Sequence, residues 1–432
     1  FFLTGGTTQG LQALALSTLA PGAGVLVPET AHRSVTGAAA LAAARTWYLP
    51  AALDEFWGLP RAPEPPALCP PTTQAVFLTY PDYYGLALDL AAWRRAVDRW
   101  RTAPGGQPEL VLLVDEAHGA HLPFTPGPPE PALAGGADAV VQSPHKLLGS
   151  FVQSSWLHVG AGRLDPARVA TALSVLATTS PSFLLLASLD ATRRWAAREA
   201  KAAYVRLAEL VDHVRARLGG IPGLRCLSGE EARRLGYVAL DRFKLTVSVR
   251  DLGLFGSEAE AYLAGRGLRP ELADPFNLLF VLSPADTAES LSALVEGLAC
   301  LSAEARTPEG QARLTARRPA GAGGPEAVAA LLRQVHEGPP APAAPALPPR
   351  AMLFAPSIAL PLTKAVGQVA ARPVGVYPPG IPLLVPGETV SRERVELLRA
   401  FQAVGLRVDG LEGGLLHVLL DGACQGLIGG VV

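Results

Sequence analysis

Ser143-Pro144-His145-Lys146 stands about thirty residues after Val114-Asp115-Glu116-Ala117-His118-Gly119. Together the two segments hold a carboxylate, a hydroxyl and a primary amine. The apolar run Leu110 to Val114 ends in Asp115 and a small-residue turn, as a buried parallel strand does when it delivers one carboxylate to a pocket at its carboxyl end. A second apolar run, Ala139-Val140-Val141, delivers Ser143, His145 and Lys146 to the same edge. Aspartate, serine and lysine meet three needs of pyridoxal phosphate: a counter-ion for the pyridinium nitrogen, a phosphate donor and a Schiff-base amine. Asp-Glu-Ala-His after a strand also serves magnesium in nucleotide hydrolases, but those need an upstream Gly-rich loop ending Gly-Lys-Ser/Thr, which this sequence lacks.

The elements that must position these groups are visible upstream. Phe1-Phe2-Leu3 reads as a strand, Thr4-Gly5-Gly6-Thr7-Thr8 as a tight turn and Gln9 to Leu19 as a helix with apolar spacing. Such a turn leaves backbone N–H groups and two hydroxyls at a helix N-terminus, an anion site suited to phosphate. Val25-Leu26-Val27-Pro28 is another short strand, followed by Ala31-His32-Arg33-Ser34. His32 reads either as a surface residue or as a ring lying on a cofactor.

Taken together, Phe-Leu-Thr-Gly-Gly-Thr-Thr (2–8), Ala-His-Arg-Ser-Val (31–35), Tyr-Pro-Asp-Tyr-Tyr-Gly (80–85), Val-Asp-Glu-Ala-His-Gly-Ala-His (114–121) and Val-Gln-Ser-Pro-His-Lys (141–146) resemble the bacterial ornithine/lysine/arginine decarboxylases. The likeness continues through Thr178-Thr179-Ser180-Pro181-Ser182-Phe183, Glu271-Leu272-Ala273-Asp274 and the Pro-rich segment from Tyr377 to Glu388. It implies an α/β chain of the pyridoxal fold type I: a large domain with a mainly parallel sheet of the seven-stranded type, an α+β small domain and a C-terminal domain. It also implies roles. Lys146 would carry the cofactor, His32 would stack on the ring and Asp115 would pair with the pyridinium N–H. Ser143, His145, Thr7 and Thr8 would surround the phosphate, Ala117 would pack beneath the ring with His118 nearby, and Ser180 would reach the phosphate of a second subunit in a homodimer or larger homo-oligomer.

The chemistry such a site performs is the loss of CO₂ from an amino acid, which leaves a carbanion at Cα that needs an electron sink. Asp115 beside the ring nitrogen would keep it protonated. Lys146 must be neutral to attack an aldehyde, so desolvation and nearby positive charge should depress its pKa. Lys146 and His32 are the candidate donors of the proton that returns to Cα. The resemblance implies a basic amino acid as substrate, with arginine to agmatine first, as in the short biosynthetic arginine decarboxylases, and lysine or ornithine next. Glu271 and Glu388 are candidate contacts for its basic end. A pyridoxal aminotransferase or lyase could use the same lysine and aspartate, and a non-catalytic family member is a further alternative.

Several positions depart from the family pattern. Gly5-Gly6-Thr7 stands where the family has Asn-Gly-Thr, Pro144 stands for Thr, Val152 for a small residue, and Asp82 for the Thr of Pro-Thr-Tyr-Tyr-Gly. A carboxylate at 82 would be unfavourable near a phosphate, so either it points away or the pocket is tuned differently. The chain begins at Phe1 in what the resemblance makes the middle of the fold, so a fragment, or a start placed late, is expected.

Composition fits a cytoplasmic enzyme. The 432 residues carry a net charge of −1, which gives no electrostatic footprint for nucleic acid. No apolar stretch reaches the roughly 20 residues of a membrane span. Cys69, Cys226, Cys300 and Cys424 are scattered and read as reduced thiols rather than as a zinc site or a disulfide framework. Alternating strand and helix patterns divide the chain into a cofactor-binding domain over 1–195, a small α+β domain over 196–302, a Pro/Ala-rich linker over 303–350 with a helical island near Glu326 to His336, and a C-terminal domain over 351–432.

Overall fold

The computed structural model describes residues 1–318, 323–335, 348–376, 381–403 and 408–420. Cys424 and residues 377–380 of the Pro-rich motif lie outside the described residues. The first half of the chain runs β1 (Phe2–Leu3), α1 (Gly6–Thr18), β2 (Gly24–Pro28), α2 (Arg33–Leu41), β3 (Arg45–Leu49), β4 (Thr73–Thr79), β5 (Leu86–Ala87), α3 (Leu90–Thr102), β6 (Val111–Asp115), β7 (Ala139–Gln142), α4 (Pro144–Leu147) and β8 (Ser155–Val159). Seven of these strands form one sheet in the order β1-β8-β7-β6-β4-β2-β3. Strands β3, β2, β4, β6 and β7 are parallel, whereas β8 and β1 add antiparallel pairs at one side.

The near-continuous apolar runs are explained by burial on both faces. Because side chains alternate along a strand, Val25, Val27, Phe77, Val111, Leu113 and Val141 face the core built by α1, α2 and the helix Pro166–Leu176. Their neighbours Leu26, Val76, Leu78, Leu112, Val114 and Val140 face a second core containing Trp93, Val97 and Trp100 of α3. Register then fixes where the chemistry sits. Thr79 pairs with Asp115, and Asp115 with Val141, so the carboxyl ends of β4, β6 and β7 come level along one edge.

A helical run from Phe183 to Gly219, with a π turn at Ala196–Ala200, leads out of this layer. Its Tyr204 hydroxyl donates to the Leu147 carbonyl, which pins the end of α4. The next unit is a four-stranded antiparallel sheet of β9 (Arg225–Cys226), β11 (Lys244–Ser248), β12 (Leu272–Ala273) and β13 (Asn277–Val281), in the order β12-β13-β11-β9. A bridge of β5 with β10 (Ala239–Leu240) ties it to the first half.

The span read as linker holds more structure than its composition suggests. Among the described residues it includes the end of the helix Ala288–Ala305 and the helices Pro308–Leu314 and Pro325–Val335. Val328, Ala329 and Leu332 recur at helical spacing and enter a core with Phe255, Phe276, Leu397 and Leu398. Arg250 pairs with Glu326 at 2.7 Å across the same junction. Among the described residues, the C-terminal part holds the helices Pro349–Phe354 and Arg392–Ala403 and two small antiparallel sheets.

Candidate active site

Six of the candidate site residues, Thr7, His32, Asp115, Ala117, His118 and Lys146, line one cavity of about 300 Å³ at the carboxyl edge of the large sheet, and Asp82 lines it with them. They arrive on four structural devices, with Asp115, Ala117 and His118 sharing the end of β6 and its turn. Asp115 is the last residue of β6, where Oδ1 accepts the Ala117 N–H at 3.1 Å. His32 caps α2: its Nδ1 accepts the Ser34 N–H at 3.3 Å and sits 2.7 Å from the Ser34 hydroxyl. Thr7 stands in the first turn of α1, where no side chain caps the helix. Lys146 rides on the single turn of α4, which Ser143 begins.

The other singled-out groups sit around this cavity or away from it. Ser143 is buried, and His145 places Nδ1 3.0 Å from the Ser154 carbonyl. Thr8 is exposed on α1. Ser180 is exposed too, its N–H donating to Thr178 Oγ1 at 3.2 Å. Glu271 accepts the Tyr83 hydroxyl at 2.8 Å, and Tyr83 lines the cavity. Glu388 is outside the lining. It accepts the Val385 N–H at 3.1 Å and faces Arg394 at 3.5 Å, which is the geometry of a turn anchor. Asp82 has one oxygen committed to its own turn, accepting from Tyr84 N–H at 2.9 Å and Leu86 N–H at 2.8 Å. Its Oδ2 is buried without a hydrogen-bond partner, and burial pushes the group up to about 7 despite those N–H groups and Lys244.

The electrostatics are those of a partly desolvated site with opposed charges. Burial raises the pKa of Asp115 while Lys146 and His32 draw it down. Desolvation lowers Lys146, against the pull of Asp115 and Glu271. His32 is lowered by desolvation as well, with Asp115 opposing and Lys146 adding. A carboxylate and a depressed amine therefore face one pocket, as acid–base and carbonyl chemistry requires.

The chain matches the profile of the Orn/Lys/Arg decarboxylase major domain over residues 1–220 and that of the C-terminal domain over residues 336–418. It belongs to the Orn/Lys/Arg decarboxylase family. It is 31% identical to the arginine decarboxylase of Halalkalibacterium halodurans over 97% of this chain and 81% of that protein. To the arginine decarboxylase of Bacillus subtilis it is 30% identical with the same two coverages. Among solved structures, lysine decarboxylase A from Pseudomonas aeruginosa superposes with a TM-score of 0.75 at 20% identity, covering 97% of this chain and 69% of that one. The constitutive lysine decarboxylase of E. coli gives 0.72 at 19% identity, with 97% and 70% covered. At these identities the structural likeness speaks for the fold, which is that of the fold type I enzymes. The decarboxylase is thus an α/β protein whose mainly parallel sheet carries the cavity at its carboxyl edge.

Sequence reasoning missed two residues of this site. Tyr83 lies inside the Tyr-Pro-Asp-Tyr-Tyr-Gly motif, and its ring centroid is 4.5 Å from that of His118. Lys244 opens β11. It is 1% exposed and its amine lies 3.0 Å from His118 Nδ1. The available signal was a lysine opening a strand otherwise fit for full burial, since lysine is rarely buried without a partner.

Proposed function

We propose that this decarboxylase converts arginine to agmatine and CO₂ with pyridoxal 5′-phosphate held in the cavity described above. The observation that carries this reading is the convergence of Lys146, Asp115 and His32 on one pocket in a chain whose relatives over nearly its full length are arginine decarboxylases.

The residues present suit the cofactor. Asp115 keeps one oxygen for a ring N–H after accepting from Ala117, and Ala117 leaves room for a flat ring. The uncapped start of α1 with Thr7, and the buried Ser143 hydroxyl, offer donors to a phosphate. When bound, the cofactor supplies a carbonyl carbon for amine capture and an electron-withdrawing ring that takes the electron pair left by CO₂. Lys146, whose proton is loosened by desolvation, provides the anchoring amine. Asp115 holds the ring-nitrogen proton by its charge. His32, with Nδ1 committed to Ser34, presents its ring to the cavity. The proton that replaces CO₂ on Cα comes from Lys146 or His32, both of which line the pocket.

Glu271 supports arginine recognition. Tyr83 fixes one carboxylate oxygen at 2.8 Å, which leaves the other to receive a guanidinium N–H in a charge-assisted bond. A cytoplasmic homodimer completes the proposal. Phe183 and Leu184 are 81% and 73% exposed, Phe151 and Val152 are 59% and 77% exposed, and Phe151 N–H donates to Ser188 Oγ at 2.8 Å, which sets the Phe151 turn against the helix that Phe183 begins. Patches of this kind mark association sites. Among the described residues no helix is long and apolar enough to cross a membrane.

The test is a visible absorbance spectrum of the purified chain with pyridoxal phosphate, then arginine, lysine and ornithine in turn with CO₂ and amine product recorded. Agmatine from arginine supports the reading, and another amine moves the substrate. A cofactor band without CO₂ from any of the three rejects decarboxylation in favour of a transaminase or lyase. Loss of the band in Lys146→Ala is expected; a band that survives means another lysine carries the cofactor.

A further inference from the structure

Lys244 opens β11 and is almost completely enclosed, yet its amine meets a histidine ring rather than a carboxylate. Lys244 Nζ lies 3.0 Å from His118 Nδ1, and Lys146 Nζ lies 2.7 Å from Nε2 of the same ring. An ammonium group can only donate, and a neutral imidazole has one N–H and one lone pair. Both contacts are therefore hydrogen bonds only when one of the two amines has given up its proton and accepts from the ring N–H. The ring itself stays neutral. Burial first, then the positive charges of Lys244, Lys146, His32 and His121, hold its pKa well below the ordinary imidazole range.

We propose that Lys146, His118 and Lys244 form a relay that passes one proton between the two amines, so that Lys146 is discharged and recharged through the His118 ring. In one state the Lys146 ammonium donates to Nε2 while Nδ1–H donates to the neutral Lys244 amine. In the other, the Lys146 proton has moved to Nε2 and the Nδ1 proton to Lys244. One N–H bond forms and one breaks at each end of the ring, and the net charge of the trio is +1 throughout.

The surroundings suit a charge at either end. The Tyr83 ring lies 6.0 Å from Lys146 Nζ and 5.6 Å from Lys244 Nζ, so its π face serves both ammonium positions. Burial pushes Lys244 down to about 8, with Asp241, Glu271 and Asp82 opposing and Lys146 adding to the fall. Lys146 is lowered by desolvation while Asp115 and Glu271 oppose. Asp241 is tied up by His121 at 2.9 Å, which leaves His118 as the partner of the Lys244 amine. The use of the relay rests on Lys146 being the cofactor-bearing lysine, which must be neutral to capture a carbonyl carbon and charged to return a proton. Lys244 is thereby a positioning residue that acts through His118.

The test uses the full chain without cofactor and reads the acetylation rate of Lys146 at neutral pH by mass spectrometry; Lys146 is reachable from solvent. Lys244→Arg keeps a permanent donor against Nδ1, which forces Nε2–H toward Lys146 and demands a neutral amine there. Its Lys146 should label about tenfold faster than in the wild type. Lys244→Met removes both the charge and the acceptor, so Lys146 keeps its proton and should label about tenfold more slowly. Equal rates, or shifts in one direction for both variants, overturn the relay. In a His118→Phe background the difference between Arg and Met should vanish; its persistence means that the lysines sense each other without the ring. Should the variants fail to fold, ¹⁵N-histidine spectra of the wild type decide the matter. One protonated and one bare ring nitrogen at His118, across the range in which free imidazole titrates, support the relay, and an imidazolium refutes it. None of these readouts needs turnover, so a chain that passes them but releases no CO₂ keeps the relay and loses the arginine reading.

Discussion

Gly85 makes room for the buried lysine, and replacing it by alanine should be costly in a way the structure specifies. The residue has a φ of +87°, and an added Cβ would lie 2.8 Å from both Cβ and Cγ of Lys244 and 3.0 Å from Cβ of Asp241. Those atoms are close to the backbone of β11 and of the Gly85–Asp241 pairing, where Asp241 N–H donates to the Gly85 carbonyl at 2.8 Å, so neither can swing away as a chain end could. The left-handed backbone alone costs an alanine about 1–2 kcal/mol, and forced overlap in a packed interior adds about 1–3 kcal/mol. Gly105 supplies the control: its φ is +71° and nothing lies within 4 Å of a Cβ there, so Gly105→Ala should show the backbone cost alone. Urea unfolding followed by tryptophan fluorescence should therefore place the Gly85→Ala midpoint below that of Gly105→Ala, by the equivalent of about 1–3 kcal/mol. Equal midpoints for the two variants would show that the space beside Lys244 is not what Gly85 provides.

Three further outcomes follow from the same geometry. Asp115→Asn should still bind pyridoxal phosphate but lose about a hundredfold in kcat, and steady-state turnover near the wild-type rate would remove the charge of Asp115 from the chemistry. Glu271→Gln should raise KM for arginine about tenfold with a smaller change in kcat; an unchanged KM would send the guanidinium elsewhere. Glu116 is buried, accepts from Ala132 N–H at 2.7 Å and Gln142 Nε2 at 2.6 Å, and is pushed up to about 8 from 4.5 by burial, the two hydrogen bonds opposing. The folded chain thus keeps a proton that the unfolded chain has released. Its contribution to stability is complete below the unfolded value and is lost as pH rises through the folded one. Glu116→Gln should flatten the fall of stability between those pH values by roughly 1.4 kcal/mol per pH unit, and parallel pH curves for the two proteins would contradict a raised pKa.

Much of the large layer was legible in the chain because local rules and the global fold agree there. Apolar runs ending in Asp115 and before Ser143 could only be strands buried on two faces, and the helical spacing after Thr8 became α1. Parallel register then brings such strand ends to a common edge, so a candidate set drawn from those strand ends and from the family resemblance finds six of its members on one cavity wall. The chain likewise carried the apolar stripe of Pro325–Val335, although proline and alanine around it masked how firmly that helix packs.

What the sequence could not determine depends on approach in space between distant segments. Lys244 and Lys146 are separated by the whole helical run and the turn into the small sheet, and only the packing of that sheet against the large layer sets both amines on one imidazole. Glu388 shows the converse. Its place in a family motif is a linear feature, whereas its contacts with the Val385 N–H and the Arg394 guanidinium exist only in the folded chain. Period and turn chemistry act over a few residues and so survive in a linear reading. Partnerships among buried charges are settled by desolvation, which exists only once the chain has closed around them.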